Sequence, residues 1–296
     1  MIVERDVPIG PMTTYRVGGR ASLFARVYSE DDIADLISVV QEQGLDVLVV
    51  GKGSNLLVAD DGFDGLAVTL GDAREEITVD GTTVTVGAAA ALPVVARRTA
   101  AAGLTGFEWA VGVPGSIGGA VRMNAGGHGS DMAATLARVR VADLASGDDG
   151  WMAASALALG YRSSSITRAQ LVLTAELALA TGSRERSEAE ITEIVRWRRE
   201  NQPGGQNAGS VFTNPTGDSA GRLIEAAGCK GLRVGTAVVS DKHANFFIAD
   251  PDGRANDVHA LMTVVRDRVH RALGVWLEPE TRLVGFAENP GLEVEG

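Results

Sequence analysis

The sequence has few of the residues that build disulfide frameworks, metal cages or membrane spans. It contains one cysteine, Cys229, in 296 residues, so it cannot form an internal disulfide or a cysteine metal cage, and we expect no metal. No stretch approaches the roughly 18 uninterrupted apolar residues of a membrane-spanning helix. The N-terminus, "MIVERDVPIG", lacks the apolar core of a secretory signal. We therefore expect a cytoplasmic protein without membrane insertion.

Positive charge is also scarce. Asp and Glu outnumber Lys and Arg by 38 to 27, which gives a formal net charge of −11. A nucleic-acid-binding protein must neutralise phosphates over a broad basic surface, so we expect no nucleic-acid partner. With 45% hydrophobic residues, the chain can bury a substantial core and form two domains or one large one.

The pattern of apolar residues predicts an α+β fold, because signals of parallel and antiparallel strands are mixed with helices. The segments "ASLFARVY", "LDVLVV" and "LAVTL" read as strands, and "ITVDGTTVTV" reads as a hairpin that turns at Asp80 and Gly81. Ser29 with Asp32 predicts a capped helix, and a short helix is expected over 92–102.

A polar link, "ATGSRERSEAE", predicts a boundary between two domains, residues 1–185 and 186–296. Beyond the boundary, Ser187 with Glu190 predicts the start of a helix that runs to about residue 200. We then expect a strand at "AGSVF", a helix over 220–227 and a strand at "NFFIA". An amphipathic helix with Val258 and Val265 on its apolar side and a terminal strand, "GVWLEPETRLVGF", complete the chain.

Two glycine-rich segments are candidates for a cofactor site. In "VVGKGSNLL", glycines allow backbone amides to approach an anion. However, Leu56 stands where a Rossmann fingerprint needs glycine, and Gly53 stands where a P-loop needs Ser or Thr. On its own, this segment is better explained as a tight turn. The run "VGVPGSIGGAVRMNAGGHG" is too dense in glycine for one turn, so the two segments together indicate a dinucleotide fold of another type.

Ser210, in "GGQNAGSVFTNPTG", has no evident base. A nucleophilic hydroxyl needs one close by, and the chain has four histidines, none spaced from Ser210 in a way that suggests a triad. From the residues alone, Ser210 is either a turn residue or a group that handles a proton in chemistry other than acyl transfer.

Eight ordered segments carry a resemblance to a known family. They are "TTYRVGG", "GKGSNLLVADDGFDG", "GFEWAVGVPGSIGGAVRMNAG", "GYRSSSI", "NAGSVFTNP", "SAGRLIEAAGCKG", "VSDKHANFFI" and "LEPETRLVG". Together they resemble the UDP-N-acetylenolpyruvoylglucosamine reductases, the MurB family of peptidoglycan synthesis, in its short-loop type II subtype. The resemblance implies an N-terminal FAD-binding domain of the vanillyl-alcohol-oxidase (PCMH) type and a smaller α+β substrate-binding domain.

The resemblance also implies the reaction and its cofactors. The enolpyruvyl ether of UDP-N-acetylglucosamine would be reduced to UDP-N-acetylmuramate, with NADPH supplying the hydride through FAD. We expect FAD to bind without a covalent bond, because the only cysteine lies in the other domain and His128 is the only histidine near the second glycine-rich segment. We also expect the protein to be a monomer. The residues expected to bind FAD are Gly51, Lys52, Gly53, Ser54, Asn55, Gly112, Pro114, Gly115, Ser116, Gly118, Gly119, Asn124, Ala125 and Gly126.

Three residues match the family's catalytic set. Ser210 resembles the proton donor, Glu280 its carboxyl partner, and Arg162 the cation near the substrate carboxylate. Tyr161 and Asn214 are the expected substrate ligands. Hydride addition to one vinyl carbon builds negative charge on the carbon that bears the carboxylate, and an arginine with an acid beside it can stabilise that charge. A serine can protonate this carbon in a site closed to solvent, so Ser210 needs no histidine.

Several alternatives stay open at the level of sequence. Glu278 is equivalent to Glu280 by local pattern alone, and Thr213 stands where the family often has lysine. His128 stands where the family usually has an aromatic residue; it either replaces that residue's contact with substrate or is an exposed loop histidine. Two other functions remain: another FAD oxidoreductase on the same fold, acting on a hydroxy acid or sugar lactone, and a non-catalytic nucleotide-binding protein.

Overall fold

The computed structural model describes residues 1–286, which pack as two compact units made of interleaved segments. The first unit consists of Met1–Arg5, Leu23–Lys52 and Gly65–Arg198. The second unit consists of Asp6–Ser22, Gly53–Asp64 and the described chain from Arg199 onward. Each unit has its own hydrophobic core.

Helices and strands are mixed in both units, which confirms the predicted α+β class. The helices are α1 (Glu30–Gln43), α2 (Leu92–Ala101), α3 (Ile117–Met123), α4 (Arg184–Asn201), α5 (Ala220–Ala226) and α6 (Ala255–Leu273). The strands are β1 (Val3–Pro8), β2 (Arg20–Val27), β3 (Val47–Val49), β4 (Leu56–Val58), β5 (Phe63–Leu70), β6 (Ile77–Asp80), β7 (Thr83–Gly87), β8 (Leu104–Thr105), β9 (Gly126–Gly127), β10 (Ser130–Asp131), β11 (Leu136–Asp143), β12 (Asp149–Ala153), β13 (Gln170–Ala178), β14 (Ala180–Thr181), β15 (Arg233–Val234), β16 (Ala237–Val239), β17 (Phe247–Ala249) and β18 (Arg282–Val284).

The capping box predicted for α1 is present. Ser29 Oγ accepts a hydrogen bond from Asp32 N–H (3.1 Å), and the Asp32 carboxylate accepts one from Ser29 N–H (3.0 Å). These bonds satisfy backbone donors that have no partner within the first turn. Ile33, Leu36 and Val40 then form the buried face of the helix, as the spacing of three and four residues predicts.

An antiparallel sheet forms the centre of the first unit, with strand order β12-β11-β13-β7-β6. The predicted hairpin joins β6 to β7, and Asp80 pairs with Thr83 across a two-residue turn. A second sheet has the order β1-β2-β5-β3, in which β3 and β5 run parallel, with Val47 opposite Leu66. The chain therefore enters the first glycine-rich segment directly from a parallel strand, β3.

The second unit is built around α6 and a small antiparallel sheet of order β15-β16-β17. The apolar side predicted for α6 is confirmed, since Val258, Leu261, Met262 and Val265 are all buried. Strand β18 pairs in parallel with β4, which places Arg282 opposite Leu56. This pairing joins the end of the described chain to the residues that directly follow the first glycine-rich segment.

Three local predictions differ from the structure. Helix α4 begins at Arg184, one turn before the expected start, and Ser187 is a buried residue inside it. The segment "AGSVF" makes isolated bridges on both sides, Ser210 to Phe246 and Phe212 to Pro279, in place of a continuous strand. The expected terminal strand is reduced to β18, and the residues before it, Glu278 and Glu280, bond instead to Thr213 and Val211.

The predicted domain boundary falls in the first turn of α4, whereas the first compact unit extends to Arg198. The division at 185/186 into cofactor and substrate domains stays a prediction. Among residues 1–286, no helix combines the length and apolar character that a membrane span requires.

Candidate active site

A cleft in the first unit brings the two glycine-rich segments together. It encloses about 620 Å³, including open solvent at its mouth. Gly51 and Lys52 line the cleft from the first segment, and Ser116, Gly118 and Gly119 line it from the second. Apolar side chains cover much of the remaining wall: Val49, Val50, Ala88, Ala89, Ile166 and Val172. An apolar slot beside exposed backbone suits a flat ring system joined to an anionic group.

The contact between the two segments leaves no room for a side chain at position 51 while Ser116 keeps its present orientation. A Cβ atom built at Gly51 would lie 2.5 Å from Ser116 Oγ, closer than carbon and oxygen can pack. Ser116 is in turn fixed as the residue that precedes α3, where its Oγ accepts a long hydrogen bond from Gly119 N–H (3.4 Å). Glycine at position 51 therefore allows the two segments to pack closely against each other, because it has no Cβ.

Lys52, the predicted charged residue at the cleft, has a carboxylate partner. Lys52 Nζ forms an ion pair with Glu75 Oε1 at 2.6 Å, and both side chains are partly exposed. Arg122 and Gln170 also line the cleft, although neither was predicted. Arg122 follows Gly119 by three positions in α3, and that spacing, which places both residues on one side of the helix, was the signal that sequence reasoning missed.

Gly53, Ser54 and Asn55 belong to the second unit. Gly53 has φ +63°, and a Cβ there would clash with the backbone of Met12 and Thr13. Asn55 Nδ2 donates to the carbonyl oxygen of Glu280 (3.0 Å), and the Asn55 carbonyl accepts from Arg282 N–H (2.9 Å). The predicted cofactor residue Asn55 therefore holds the backbone at the candidate acid Glu280.

Asn124, another predicted cofactor residue, is buried and has its side chain engaged within the first unit. Its Oδ1 accepts from Ala133 N–H (2.9 Å), and its Nδ2 donates to Gly160 O (2.9 Å) and Asp131 Oδ2 (3.2 Å). The bond to Gly160 lies immediately before the candidate residues Tyr161 and Arg162. Asn124 thus supports the turn that carries them.

The other predicted cofactor residues lie along the same run without lining the cleft, and their roles stay predictions. Gly112 packs beside the ring of His128, since a Cβ at Gly112 would lie 3.1 Å from that ring. The Gly115 carbonyl accepts from Leu92 N–H (2.9 Å) at the start of α2. The residues of this group are Gly112, Pro114, Gly115, Ala125 and Gly126.

Arg162 lies at the tip of a tight turn in the first unit. Gly160 and Ser163 bond to each other in both directions, which leaves Tyr161 and Arg162 as the two turn residues. Arg162 has φ +55°, its Nη2 donates to Gly126 O (2.9 Å), and its guanidinium carbon lies 5.1 Å from the Tyr161 ring centroid. A left-handed backbone at a residue other than glycine is uncommon and often marks a functional position.

Ser210 and Glu280 come from segments that are joined through Val211. The Val211 carbonyl accepts from Glu280 N–H (2.8 Å), so the two candidate residues belong to neighbouring extended chains of the second unit. Glu278, the alternative carboxylate, is 62% exposed and lies 3.6 Å from Arg266. Asn214, the expected substrate ligand, accepts from Ala220 N–H through Oδ1 (3.0 Å), which caps the start of α5.

His128 packs against α4 in the first unit. Its ring centroid lies 5.2 Å from that of Trp197, edge to face. His128 is exposed, and partial desolvation by its neighbours, followed by the nearby Arg198 charge, holds its pKa below the ordinary value. Among residues 1–286, no cluster of His, Cys, Asp and Glu is arranged to hold a metal ion.

Comparison with known proteins gives matches over nearly the whole chain. A family model for the C-terminal domain of UDP-N-acetylenolpyruvoylglucosamine reductase matches residues 201–284, and a model for an FAD-binding domain matches residues 21–148. Reductases of that name from Heliobacterium modesticaldum and Rubrobacter xylanophilus are 42% and 40% identical to the chain. The alignments cover 98% and 95% of this chain, and 92% and 94% of those relatives.

A solved structure agrees with the sequence matches. The crystal structure of UDP-N-acetylenolpyruvylglucosamine reductase (MurB) from Thermus caldophilus has a TM-score of 0.83 and 36% identity. The match covers 96% of this chain and 99% of that chain. The chain is therefore similar to these proteins from end to end, in both sequence and fold.

Proposed function

Because the chain belongs to the UDP-N-acetylenolpyruvoylglucosamine reductase family, we propose that Ser210, Glu280 and Arg162 carry out the family's reaction in this protein. That reaction is the NADPH-dependent reduction of the enolpyruvyl ether of UDP-N-acetylglucosamine to UDP-N-acetylmuramate, in peptidoglycan synthesis. The predicted FAD-containing enzyme class is confirmed. The observation that carries the assignment is the match through both domains, since the two alternative functions leave the C-terminal match unexplained.

The cleft that the two glycine-rich segments line would hold FAD. Gly51, Gly118 and Gly119 would present backbone to the anionic part of the cofactor, and the Arg122 side chain would add positive charge to the cleft. When bound, FAD would supply the hydride-transfer chemistry between NADPH and the vinyl group. We infer non-covalent binding because Cys229 is buried in the second core.

The protein's own residues manage the charge and the proton. Arg162 would pair with the substrate carboxylate, where two planar donors match two oxygens. Glu280, in its protonated form, would donate a hydrogen bond to the same end of the substrate and stabilise the negative charge that develops on the adjacent carbon. Ser210 would then give its hydroxyl proton to that carbon. This role requires only that the carbon be the stronger base while water is excluded.

The remaining assignments are finer proposals. Tyr161 and Asn214 would contact the sugar nucleotide. Because Asn214 Oδ1 accepts from Ala220 N–H at the start of α5, Asn214 would use its Nδ2 donor for this contact. All candidate residues come from one chain, so we propose that a monomer suffices for the site. We also propose a cytoplasmic location, where NADPH and activated sugar nucleotides are available.

Ser210→Ala tests the proposal through the two half-reactions. We expect NADPH to bleach the flavin at the native rate, because that step does not use the serine proton. Reoxidation by the enolpyruvyl substrate should slow roughly 10²- to 10⁴-fold, the usual contribution of a general acid. Anaerobic stopped-flow absorbance measures both rates. Thr263→Ala in α6 is the control, because its hydroxyl bonds to the His259 carbonyl one turn earlier (3.3 Å), and its reoxidation should stay close to native.

The two half-reactions also separate the proposal from its alternatives. If Ser210 only shapes a turn, Ser210→Ala will reoxidise normally. Slowing of both half-reactions alike would likewise refute the proton-donor role. A native protein that NADPH reduces, but that the enolpyruvyl substrate does not reoxidise, would point to another FAD oxidoreductase.

A further inference from the structure

Asn245 is buried in the second unit, with 2% of its surface exposed, and it bonds to the chain that directly follows Ser210. The Asn245 carbonyl accepts from Val211 N–H (2.9 Å). Its Oδ1 accepts from Phe212 N–H (3.0 Å), and its Nδ2 donates to Phe212 O (2.7 Å). One residue thus satisfies three backbone groups of Val211 and Phe212.

The opposite side of the same segment bonds to the chain that carries Glu280. The Val211 carbonyl accepts from Glu280 N–H (2.8 Å) and from Thr281 N–H (3.3 Å), and Thr213 N–H donates to Glu278 O (2.9 Å). The segment 211–213 is therefore bonded on both sides. Val211 links Asn245 to Glu280, because its N–H donates to the Asn245 carbonyl and its carbonyl accepts from the Glu280 N–H.

The backbone N–H of Asn245 is bonded as well. Its own N–H donates to His243 Nδ1 (3.3 Å), and the His243 ring packs against Phe246 with centroids 4.8 Å apart. A carboxamide can offer one acceptor and one donor to the same peptide pair, and Asn245 uses both on Phe212. A longer or shorter side chain could not make both bonds from this backbone position.

We propose that Asn245 is a positioning residue that fixes Ser210 relative to Glu280 for proton transfer. The proposal rests on the proton-donor role given to Ser210. Asn245 does not need to touch the substrate; it acts by holding Val211 and Phe212, so that the preceding serine keeps one backbone position. A displacement of about 1 Å in a reacting group can cost on the order of 10²-fold in rate.

The test is a double-mutant cycle on the flavin reoxidation step. Asn245→Ala should slow reoxidation by roughly 10- to 10²-fold and leave flavin reduction by NADPH at the native rate. In a Ser210→Ala background, Asn245→Ala should add little further loss, because the group that it positions is already absent. Asn245→Asp keeps the shape and the acceptor but, when ionised, loses the donor to Phe212 O. If the alanine variant does not fold, Asn245→Asp should show the same selective slowing of reoxidation.

A matched control separates positioning from a general loss of stability. Asp257 likewise holds a backbone segment of the second unit. Its carboxylate accepts hydrogen bonds from Thr236 N–H (2.8 Å) and Thr236 Oγ1 (2.7 Å). Asp257→Ala should lower the melting temperature without slowing reoxidation in the fraction that holds flavin.

Each outcome bears on a distinct claim. If Asn245→Ala slows both half-reactions equally, or if its effect multiplies with that of Ser210→Ala, the positioning role is wrong while the role of Ser210 stands. If Ser210→Ala alone reoxidises at the native rate, the proposed function of Ser210 fails, and the role of Asn245 fails with it.

Discussion

At the scale of single residues, Arg162 combines an unfavourable backbone with a directed side chain. Its φ of +55° lies in a region that costs a residue with a Cβ about 1–2 kcal/mol. Glycine would relieve that cost but would remove the guanidinium that bonds to Gly126 O. The presence of arginine is explained if its planar donors are needed at this point of the turn.

We expect Arg162→Lys to impair the reaction despite the conserved charge. Lysine cannot present two parallel donors to a carboxylate, so reoxidation by the enolpyruvyl substrate should slow while reduction by NADPH continues. Arg168→Lys is the control, since Arg168 is an exposed arginine that follows in the same loop. Native turnover in Arg162→Lys would remove Arg162 from the substrate carboxylate.

The two nearby carboxylates give a second prediction at this scale. Glu280 has its backbone bonded to both Val211 and Asn55, whereas Glu278 is largely exposed beside Arg266. A surface ion pair contributes about 0–1 kcal/mol. Glu280→Gln should therefore slow the reoxidation step, and Glu278→Gln should be nearly neutral in both rate and melting temperature. The reverse result would mean that Glu278 is the functional carboxylate.

At the scale of elements, α4 is fixed to the chain before the glycine-rich run by a buried carboxylate. Glu108 Oε1 accepts from Ser187 Oγ (2.6 Å), and Oε2 accepts from Gly106 N–H (2.8 Å). Burial alone would raise the pKa of Glu108, but the hydrogen bonds from Ser187 and the backbone outweigh it and hold the pKa below its ordinary value.

This pKa shift makes the stability of the first unit depend on pH. A carboxyl whose pKa is lower in the folded state stabilises the protein above the unfolded pKa, near 4.3 for Glu, and this stabilisation is lost as pH falls through the folded value. Ser187→Ala should lower the unfolding free energy at pH 7 by about 1.5–3 kcal/mol, as for a bond to a charged group.

The effect of Ser187→Ala should shrink as Glu108 becomes protonated. Denaturant unfolding at pH 7 and near pH 3 would measure this difference. Ser38→Ala is the control, because the exposed Ser38 hydroxyl bonds to the carbonyl one turn earlier in α1 (3.1 Å). A loss that is equal at both pH values would show that Ser187 does not act through the Glu108 charge.

The elements predicted correctly are those whose signals are local. The Ser29 capping box, the hairpin at Gly81 and the apolar face of α6 each depend on residues within a few positions. The Ser-x-x-Glu motif at Ser187 was read as the start of α4, but it lies one turn inside the helix. The Ser187 hydroxyl donates instead to Glu108, which is 79 positions earlier. Ser210, Glu280 and Arg162 were predicted only through family resemblance. The role of Asn245 was not predicted, since its partner Phe212 lies 33 positions earlier.

At the scale of the whole molecule, the first glycine-rich segment passes from one compact unit to the other between Lys52 and Gly53. The two units are therefore connected within this loop. A ligand that binds only the folded protein stabilises it by mass action, about 2.7 kcal/mol at a concentration 100-fold above the dissociation constant. FAD should therefore stabilise the whole protein.

The last prediction tests both the non-covalent state of FAD and the cradle at Gly51. Acid precipitation should release all the yellow colour, and the refolded apoprotein should melt at temperatures that rise with added FAD. Gly51→Ala should weaken this rise, because its Cβ would lie 2.5 Å from Ser116 Oγ. Adding Ser116→Ala to that variant removes the clashing oxygen and should restore part of the FAD response. Colour retained in the precipitate would instead indicate a covalent bond, and a Gly51→Ala protein with the native FAD response would place the cofactor away from this contact.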